Sequence, residues 1–330
     1  MKYFAIRVFI AASVLSGCAG GRKKAASDWR GLPENSGAEM MELVGRIAEI
    51  SPRDAGTEGA AKASRFLARE IQSYGVEAKA DSWVENTAFG HKAFSNVYAD
   101  FPGATKNTVV FGSHYDSKAG IDGFVGANDG GSSTAILLRL IRHFAETKPQ
   151  LRSSVRFAFF DGEECFGRTY SEDDGLHGSE RMAKHFARKR LDMPLVAVVN
   201  LDMVGDKNLH IQIPRNVTPW LAAIVMLEAT SGRTDIPHAS LADSSILDDH
   251  WPFARRGFSA VNLIDFEYGS APGKNDYWHT AEDTPDKLSP DSLFKTANLA
   301  LAILARIEDG ENLPDEIRAI YPDKKNEPEN

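Results

Sequence analysis

Apolar residues along the middle of the chain recur with two alternating patterns. Apolar positions spaced three and four apart predict amphipathic helices, and they occur in residues 39–50, 60–74, 133–145, 178–190, 219–229 and 293–307. Short, almost wholly apolar runs lie between them and are typical of strands buried on both faces; these are residues 108–111, 155–160, 195–201 and 260–264. The alternation predicts an α/β fold in which a mostly parallel, twisted sheet is flanked by helices on both faces.

Polar residues follow these strands where a sheet of this kind usually binds its ligand. In open α/β sheets the binding site lies beyond the carboxyl ends of the strands. Side chains that can bind a metal ion occupy such loops, and they are His114, Asp129, Glu164, Asp202 and His279. Taken singly, each is also compatible with an ordinary loop residue or a helix cap. Their shared position is what indicates one site.

The adjacent pair Glu163 and Glu164 favours a cation at that site. It follows the apolar run 155–160 with only Asp161 and Gly162 between. Neighbouring carboxylates at a sheet edge repel each other unless a cation or a shared proton offsets their charge. Zinc accepts histidine nitrogen and carboxylate oxygen, and a catalytic zinc site keeps one position open. With Glu164 as a ligand, Glu163 is placed to act as a general base or acid.

The order of these residues resembles that of the family-28 metallopeptidases, which include co-catalytic zinc aminopeptidases, and of their relatives the animal-type glutaminyl cyclases. The resemblance runs from about residue 36 to 306 and begins with residues 52–59, Pro-Arg-Asp-Ala-Gly-Thr-Glu-Gly. It implies that Asp129 bridges two metal sites. His114 and Asp202 would complete one site, Glu164 and His279 would complete the other, and Glu163 would shuttle protons.

Several local runs resemble the cyclases more closely than the aminopeptidases. They are residues 114–118 (His-Tyr-Asp-Ser-Lys), 159–166, 176–179, 248–257 and 278–280 (Trp-His-Thr). The resemblance implies that Trp278 walls the substrate pocket, with Lys118 and Tyr170 as further pocket residues. It also implies that Asp202 and Asp249 are coupled carboxylates with a catalytic role.

We therefore expect a zinc-dependent glutaminyl-peptide cyclotransferase, which converts an N-terminal glutamine to pyroglutamate and releases ammonia. One zinc ion would suit that activity. The alternative is a zinc aminopeptidase with two ions, and a more remote alternative is a binding ectodomain without catalysis. Two departures from the cyclases concern the pocket: the loop 165–177 lacks their tryptophan, with Tyr170 as the nearest aromatic beyond Phe166, and segment 265–277 is longer.

The N-terminus predicts export. Lys2 and Arg7 precede an apolar stretch too short to span a bilayer. It ends in Leu-Ser-Gly-Cys, which resembles the lipobox of bacterial lipoproteins, so Cys18 is expected to carry lipid. Residues 1–18 would be the signal peptide, 19–35 a tether, 36–310 the catalytic domain and 311–330 a polar tail. The alanine at position 19, directly after the cysteine, resembles that of lipoproteins sorted to the outer membrane. We therefore expect the domain to be anchored in the outer membrane and to face the periplasm.

Charge and cysteine content narrow the partners. The chain has 38 Lys and Arg against 46 Asp and Glu, a net charge of −8, and lacks a basic stripe interleaved with aromatics. Nucleic acid is therefore not an expected partner. The expected partners are the N-termini of peptides, as substrates, and the membrane, through the lipid on Cys18. With Cys18 lipidated, Cys165 has no partner for a disulfide, so the hydrophobic core must hold the fold.

Overall fold

The computed structural model describes residues 28–171 and 173–310. The signal peptide, Cys18, residues 19–27 of the tether and the tail 311–330 lie outside the described residues. Residues 28–35, which were assigned to the tether, pack against the domain: Leu32 is buried, and its backbone N–H donates to Asn298 Oδ1 at 3.0 Å. None of the described helices combines the length and apolarity needed to cross a membrane.

Eight strands of the described chain form one mixed sheet in the order β1-β2-β4-β3-β5-β8-β6-β7. The strands are β1 (Lys79–Thr87), β2 (Gly90–Phe101), β3 (Thr108–His114), β4 (Ser154–Phe160), β5 (Leu195–Asp202), β6 (His210–Ile213), β7 (His238–Leu241) and β8 (Ala260–Ile264). The four central strands β4, β3, β5 and β8 are parallel to one another. Strands β1 and β2 continue the sheet antiparallel on one side, and β6 is antiparallel to β8 on the other.

Helices cover both faces of this sheet. They are α1 (Ser36–Ala48), α2 (Glu58–Ser73), α3 (Gly131–Thr147), α4 (His177–Arg188), α5 (Pro219–Thr230), α6 (Trp251–Ala254) and α7 (Pro290–Glu308), with a short 3-10 helix at Pro285–Lys287. Strand side chains alternate between two apolar clusters. Phe157 and Phe159 join the larger cluster, which includes α1, α3, α5 and α7, whereas Ala158 and Phe160 join the smaller one with α4 and α6.

The α/β fold and all six helices and four strands expected from the sequence are confirmed, with small differences at their ends. The expected parallel arrangement holds for the central strands. The pattern did not predict β1, β2, β6, β7 and α6. Strand β1 is mostly exposed or half-buried and carries polar residues at most positions, so it lacks the apolar run by which buried strands are recognised.

The short helix α6 follows a buried histidine that provides a test of this packing. His250 is fully buried, and burial lowers its pKa to about 3. The folded protein therefore holds the neutral ring, whereas the unfolded chain takes up a proton near pH 6.5. Its contribution to stability is complete above pH 6.5 and declines as the pH falls towards 3.

We predict that His250→Phe weakens this pH dependence. Between pH 7 and pH 5 the wild type should lose about 2 kcal/mol more unfolding free energy than the variant, measured by denaturant titration at both pH values. His238→Phe, which replaces an exposed histidine of β7, is the control and should behave as the wild type. An identical pH slope in the wild type and His250→Phe would contradict the prediction.

Candidate metal centre

The carboxyl ends of the parallel strands bring a first group of donors together. His114 is the last residue of β3, Asp202 is the last residue of β5, and Asp129 lies in the turn before α3. His114 Nε2 is 3.2 Å from Asp129 Oδ1 and 3.2 Å from Asp202 Oδ1. All three side chains are buried. One ion can therefore contact all three side chains.

A second group shares Asp129. His279, in the loop after β8, places Nε2 at 3.3 Å from Asp129 Oδ2 and at 2.8 Å from Glu164 Oε1. In each group the three ligand atoms lie within 4.8 Å of one another. The two oxygens of Asp129 therefore face different histidines, which is the geometry of a bridging carboxylate. The structure brings all five predicted ligands together as expected.

The residues of this centre fit zinc. The donors are imidazole nitrogen and carboxylate oxygen, the set that zinc accepts in catalytic sites. Asp129 Oδ2 is buried and makes no hydrogen bond among the described residues, so a cation would satisfy it. Burial opposes ionisation of Asp129, but the imidazoles of His114 and His279 hold its pKa below the ordinary value. These imidazoles therefore favour the ionised form of Asp129.

Asp116 fixes the loop that carries the two glutamates. Its Oδ1 accepts the backbone N–H of Glu163 and its Oδ2 accepts that of Glu164, each at 3.1 Å. Oδ1 also lies 3.6 Å from His114 Nδ1. One buried carboxylate thus fixes the backbone at both glutamates and lies beside the ring of His114. The sequence contained Asp116 within the run 114–118, but the run alone did not assign this role.

Arg53 links the loop that follows His114 to the loop that precedes Asp129 through hydrogen bonds to backbone carbonyls. Its guanidinium is fully buried. Nε donates to the carbonyl of Tyr115 at 2.8 Å, and the terminal nitrogens donate to the carbonyls of Val125 at 2.6 Å and Gly126 at 3.0 Å. These carbonyls flank the loops of His114 and Asp129. Arg53 belongs to the run 52–59 that was recognised in the sequence, and the structure shows that this residue supports the ligand loops.

Glu163 has the properties expected of a proton-transfer group. Burial, followed by the charge of Glu164, raises its pKa well above the ordinary value. A carboxylate with a raised pKa accepts a proton more readily than an ordinary glutamate does.

Asp248 and Asp249 form a second acidic pair beside Glu163. Both are buried, and burial is the first cause of their raised pKa values. The Asp248 carboxylate accepts hydrogen bonds from the side-chain amides of Asn200 at 2.8 Å and Asn262 at 2.6 Å. The charge of Asp202 contributes to raising the pKa of Asp248, to about 7. Sequence reasoning selected Asp249 and missed Asp248, whose links to the sheet come from Asn200 on β5 and Asn262 on β8.

Trp278 lies where the sequence placed it, against a metal ligand. Its ring stacks on that of His279 with centroids 4.0 Å apart and an interplanar angle of 22°. Phe266 also packs against Trp278, with ring centroids 5.1 Å apart. Trp278 remains 36% exposed, so the indole is available to a ligand. Phe266, in segment 265–277, extends this aromatic wall.

The two further pocket residues proposed from the sequence have different surroundings. Tyr170 is half-buried, and burial and then the charge of Glu163 raise its pKa, which indicates that Tyr170 lies near Glu163. Lys118 is buried beneath the glutamate loop, where its ammonium donates to the carbonyls of Cys165 and Gly167. Lys118 therefore stabilises the loop that carries Glu164, and Cys165 is a buried thiol within that loop.

Known proteins are similar to this chain in sequence and in fold. The chain is 28% identical over 242 residues to a glutaminyl-peptide cyclotransferase of Gloydius blomhoffii, covering 63% of this chain and 64% of that relative. The chain thus spans somewhat under two thirds of the length of that curated relative.

Solved structures give a similar result over more of the chain. A crystal structure of an Acidobacteriales bacterium glutaminyl cyclase is 30% identical with a TM-score of 0.77, covering 88% of this chain and all of that one. A Zn-dependent exopeptidase from Parabacteroides distasonis has a TM-score of 0.69 at 22% identity, covering 82% of this chain and 98% of that one, and shares the fold. The profile of Peptidase family M28 matches residues 96–304, which include all five donors and Glu163. The chain therefore belongs to peptidase family M28.

Proposed function

We propose that this protein is a zinc-dependent glutaminyl-peptide cyclotransferase, which converts the N-terminal glutamine of peptides to pyroglutamate with release of ammonia. The observation that carries the proposal is the likeness to a solved glutaminyl cyclase over 88% of this chain and the whole of that protein. The aromatic stack of Trp278 on His279 and the acidic pair at 248–249 support it.

The donor groups would hold the metal, and the protein supplies the rest. Zinc bound by Asp129, Glu164 and His279 would polarise the side-chain amide carbonyl of the glutamine. Trp278 provides a flat apolar wall on which the glutamine side chain can be oriented. The attacking α-amine belongs to the same residue as the amide, so the pocket needs mainly to fix the ring-closing geometry and exclude water.

Glu163 would move the proton that the reaction transfers. The α-amine nitrogen forms a bond to the amide carbon and loses a proton to the Glu163 carboxylate. Glu163 then gives that proton to the side-chain nitrogen as the carbon–nitrogen bond breaks, and ammonia leaves. The proton therefore passes from one nitrogen to the other through a single carboxyl group, and the protein returns to its starting state.

A metallo-aminopeptidase is the second candidate, because one observation favours it. Both donor groups are complete, with Asp129 shared between them, and two ions would suit hydrolysis of the first peptide bond by water. The two reactions share the donor set and Glu163, so the substrate decides between them. A non-catalytic ectodomain is disfavoured by the presence of every donor and of Glu163.

A paired assay separates the two enzymes. We predict that the purified, zinc-loaded protein releases ammonia from a peptide beginning with glutamine and leaves a leucine anilide intact. One zinc per chain, measured by elemental analysis, is expected alongside cyclisation. Hydrolysis of the anilide without ammonia release, together with two zinc ions, would instead establish the aminopeptidase.

Removal of Glu163 tests the proton-transfer role. Glu163→Ala should reduce turnover by about 10²- to 10⁴-fold, while the zinc content stays that of the wild type because the five donors remain. Both quantities are measured on the same preparation. The control is Glu85→Ala, which removes a half-exposed carboxylate of β1 and should retain full turnover. Full activity in Glu163→Ala would rule out the assigned mechanism.

We also propose that the protein is a lipoprotein of the bacterial cell envelope, anchored through Cys18 in the outer membrane and facing the periplasm. The lipobox-like run 15–18 supports this.

In a Gram-negative host, the wild type should sediment with the outer membrane and require detergent for release. Cys18→Ser should lose the lipid mass from its N-terminus. A wild-type protein found unmodified in the soluble fraction would refute the anchor.

A further inference from the structure

Asp283 connects the loop of one metal ligand to the backbone of another. It lies four residues after His279 and is fully buried. Its Oδ1 accepts the backbone N–H of Asn128 at 2.8 Å, and its Oδ2 accepts the backbone N–H of Asp129 at 3.1 Å. The carboxylate therefore binds the peptide backbone at the bridging ligand through both oxygens.

The Asp283 side chain is itself held in place. Tyr268, which is also fully buried, donates its hydroxyl to Asp283 Oδ1 at 2.7 Å. The main chain adds a further link, because Ala127 N–H donates to the carbonyl of Asp283 at 3.3 Å. Three donors thus converge on one carboxylate, and a fourth hydrogen bond joins the two backbones directly.

The turn that carries Asp129 needs such support. Gly126 and Gly130 on either side of Asp129 both have positive φ, 54° and 76°, and glycine loses more conformational freedom on folding than other residues. Asp129 has a short side chain, so the position of its backbone decides where its oxygens lie. A small rotation of the turn would move Oδ1 away from His114 and Oδ2 away from His279.

We propose that Asp283 is a positioning residue for the metal centre, which holds the bridging carboxylate of Asp129 between the two histidines. The proposal rests on the zinc centre of the proposed function and does not depend on which reaction that centre catalyses. Groups that orient metal ligands commonly affect metal affinity by about 10- to 100-fold.

Asp265 provides a matched control. Like Asp283 it is fully buried, and it accepts two backbone N–H groups, from His210 and Glu267, each at 3.0 Å. Neither of those residues is one of the five donors. Replacing either aspartate by asparagine keeps the side-chain shape but turns an NH₂ group towards a backbone N–H. Both variants therefore lose the same kind of interaction, and only one loses it at a ligand.

The experiment compares Asp283→Asn and Asp265→Asn in the full chain. Zinc affinity is measured by competition with a chromophoric chelator, and backbone opening by amide hydrogen exchange of the metal-free protein. We expect Asp283→Asn to bind zinc about 10- to 100-fold more weakly and to exchange faster at Asn128 and Asp129. Asp265→Asn should exchange faster at His210 and Glu267 and keep wild-type zinc affinity.

Wild-type zinc affinity in Asp283→Asn, or an equal loss in both variants, would overturn the proposal. If Asp283→Asn does not fold, the metal-free wild type decides. Slow exchange at Asn128 and Asp129 without zinc supports the role of Asp283, and exchange at the rate of an open loop overturns it. A wild type that binds zinc but releases no ammonia from glutamine peptides would contradict the cyclase alone, and leave this proposal standing.

Discussion

The whole centre depends on one electrostatic constraint, the close burial of like charges. Three largely buried carboxylates, those of Asp129, Glu164 and Asp202, lie beside two imidazoles at the edge of the sheet. Ionised carboxylates in such surroundings are stable only when cations or hydrogen-bond donors compensate them. The histidines supply part of that compensation, and a bound cation would supply the rest. The surrounding loops hold these charged side chains in position.

That scaffold is built largely from side chains that bind backbone groups. Asp116 binds the amides of Glu163 and Glu164, Asp283 binds those of Asn128 and Asp129, and Arg53 binds three carbonyls between these loops. Loops have no ladder of regular hydrogen bonds, so buried polar side chains satisfy their backbone groups instead. The same contacts fix the positions of the residues that would bind the metal.

Cyclisation and hydrolysis differ in the pocket around this centre. The donors and Glu163 suit both reactions, since each needs a polarised carbonyl and a carboxyl group that moves a proton. Phe266 and Trp278 form an aromatic surface beside His279, and Tyr170 lies near Glu163; under the proposed function these side chains would orient the substrate and limit the entry of water. These aromatic residues lie in loops, whereas His114 and Asp202 lie at the ends of strands.

The sequence by itself determined the fold class, the buried strands and the five donors with Glu163, because apolar period and position after a strand are local signals. It did not reveal the half-exposed β1, the supporting acids Asp248 and Asp283, or the buried contacts of Lys118. These depend on residues far apart in the chain: Asp283 reaches Asn128 and Asp129 across more than 150 positions. Only the tertiary structure decides such contacts, because a carboxylate's role is set by the groups that packing brings within hydrogen-bond distance.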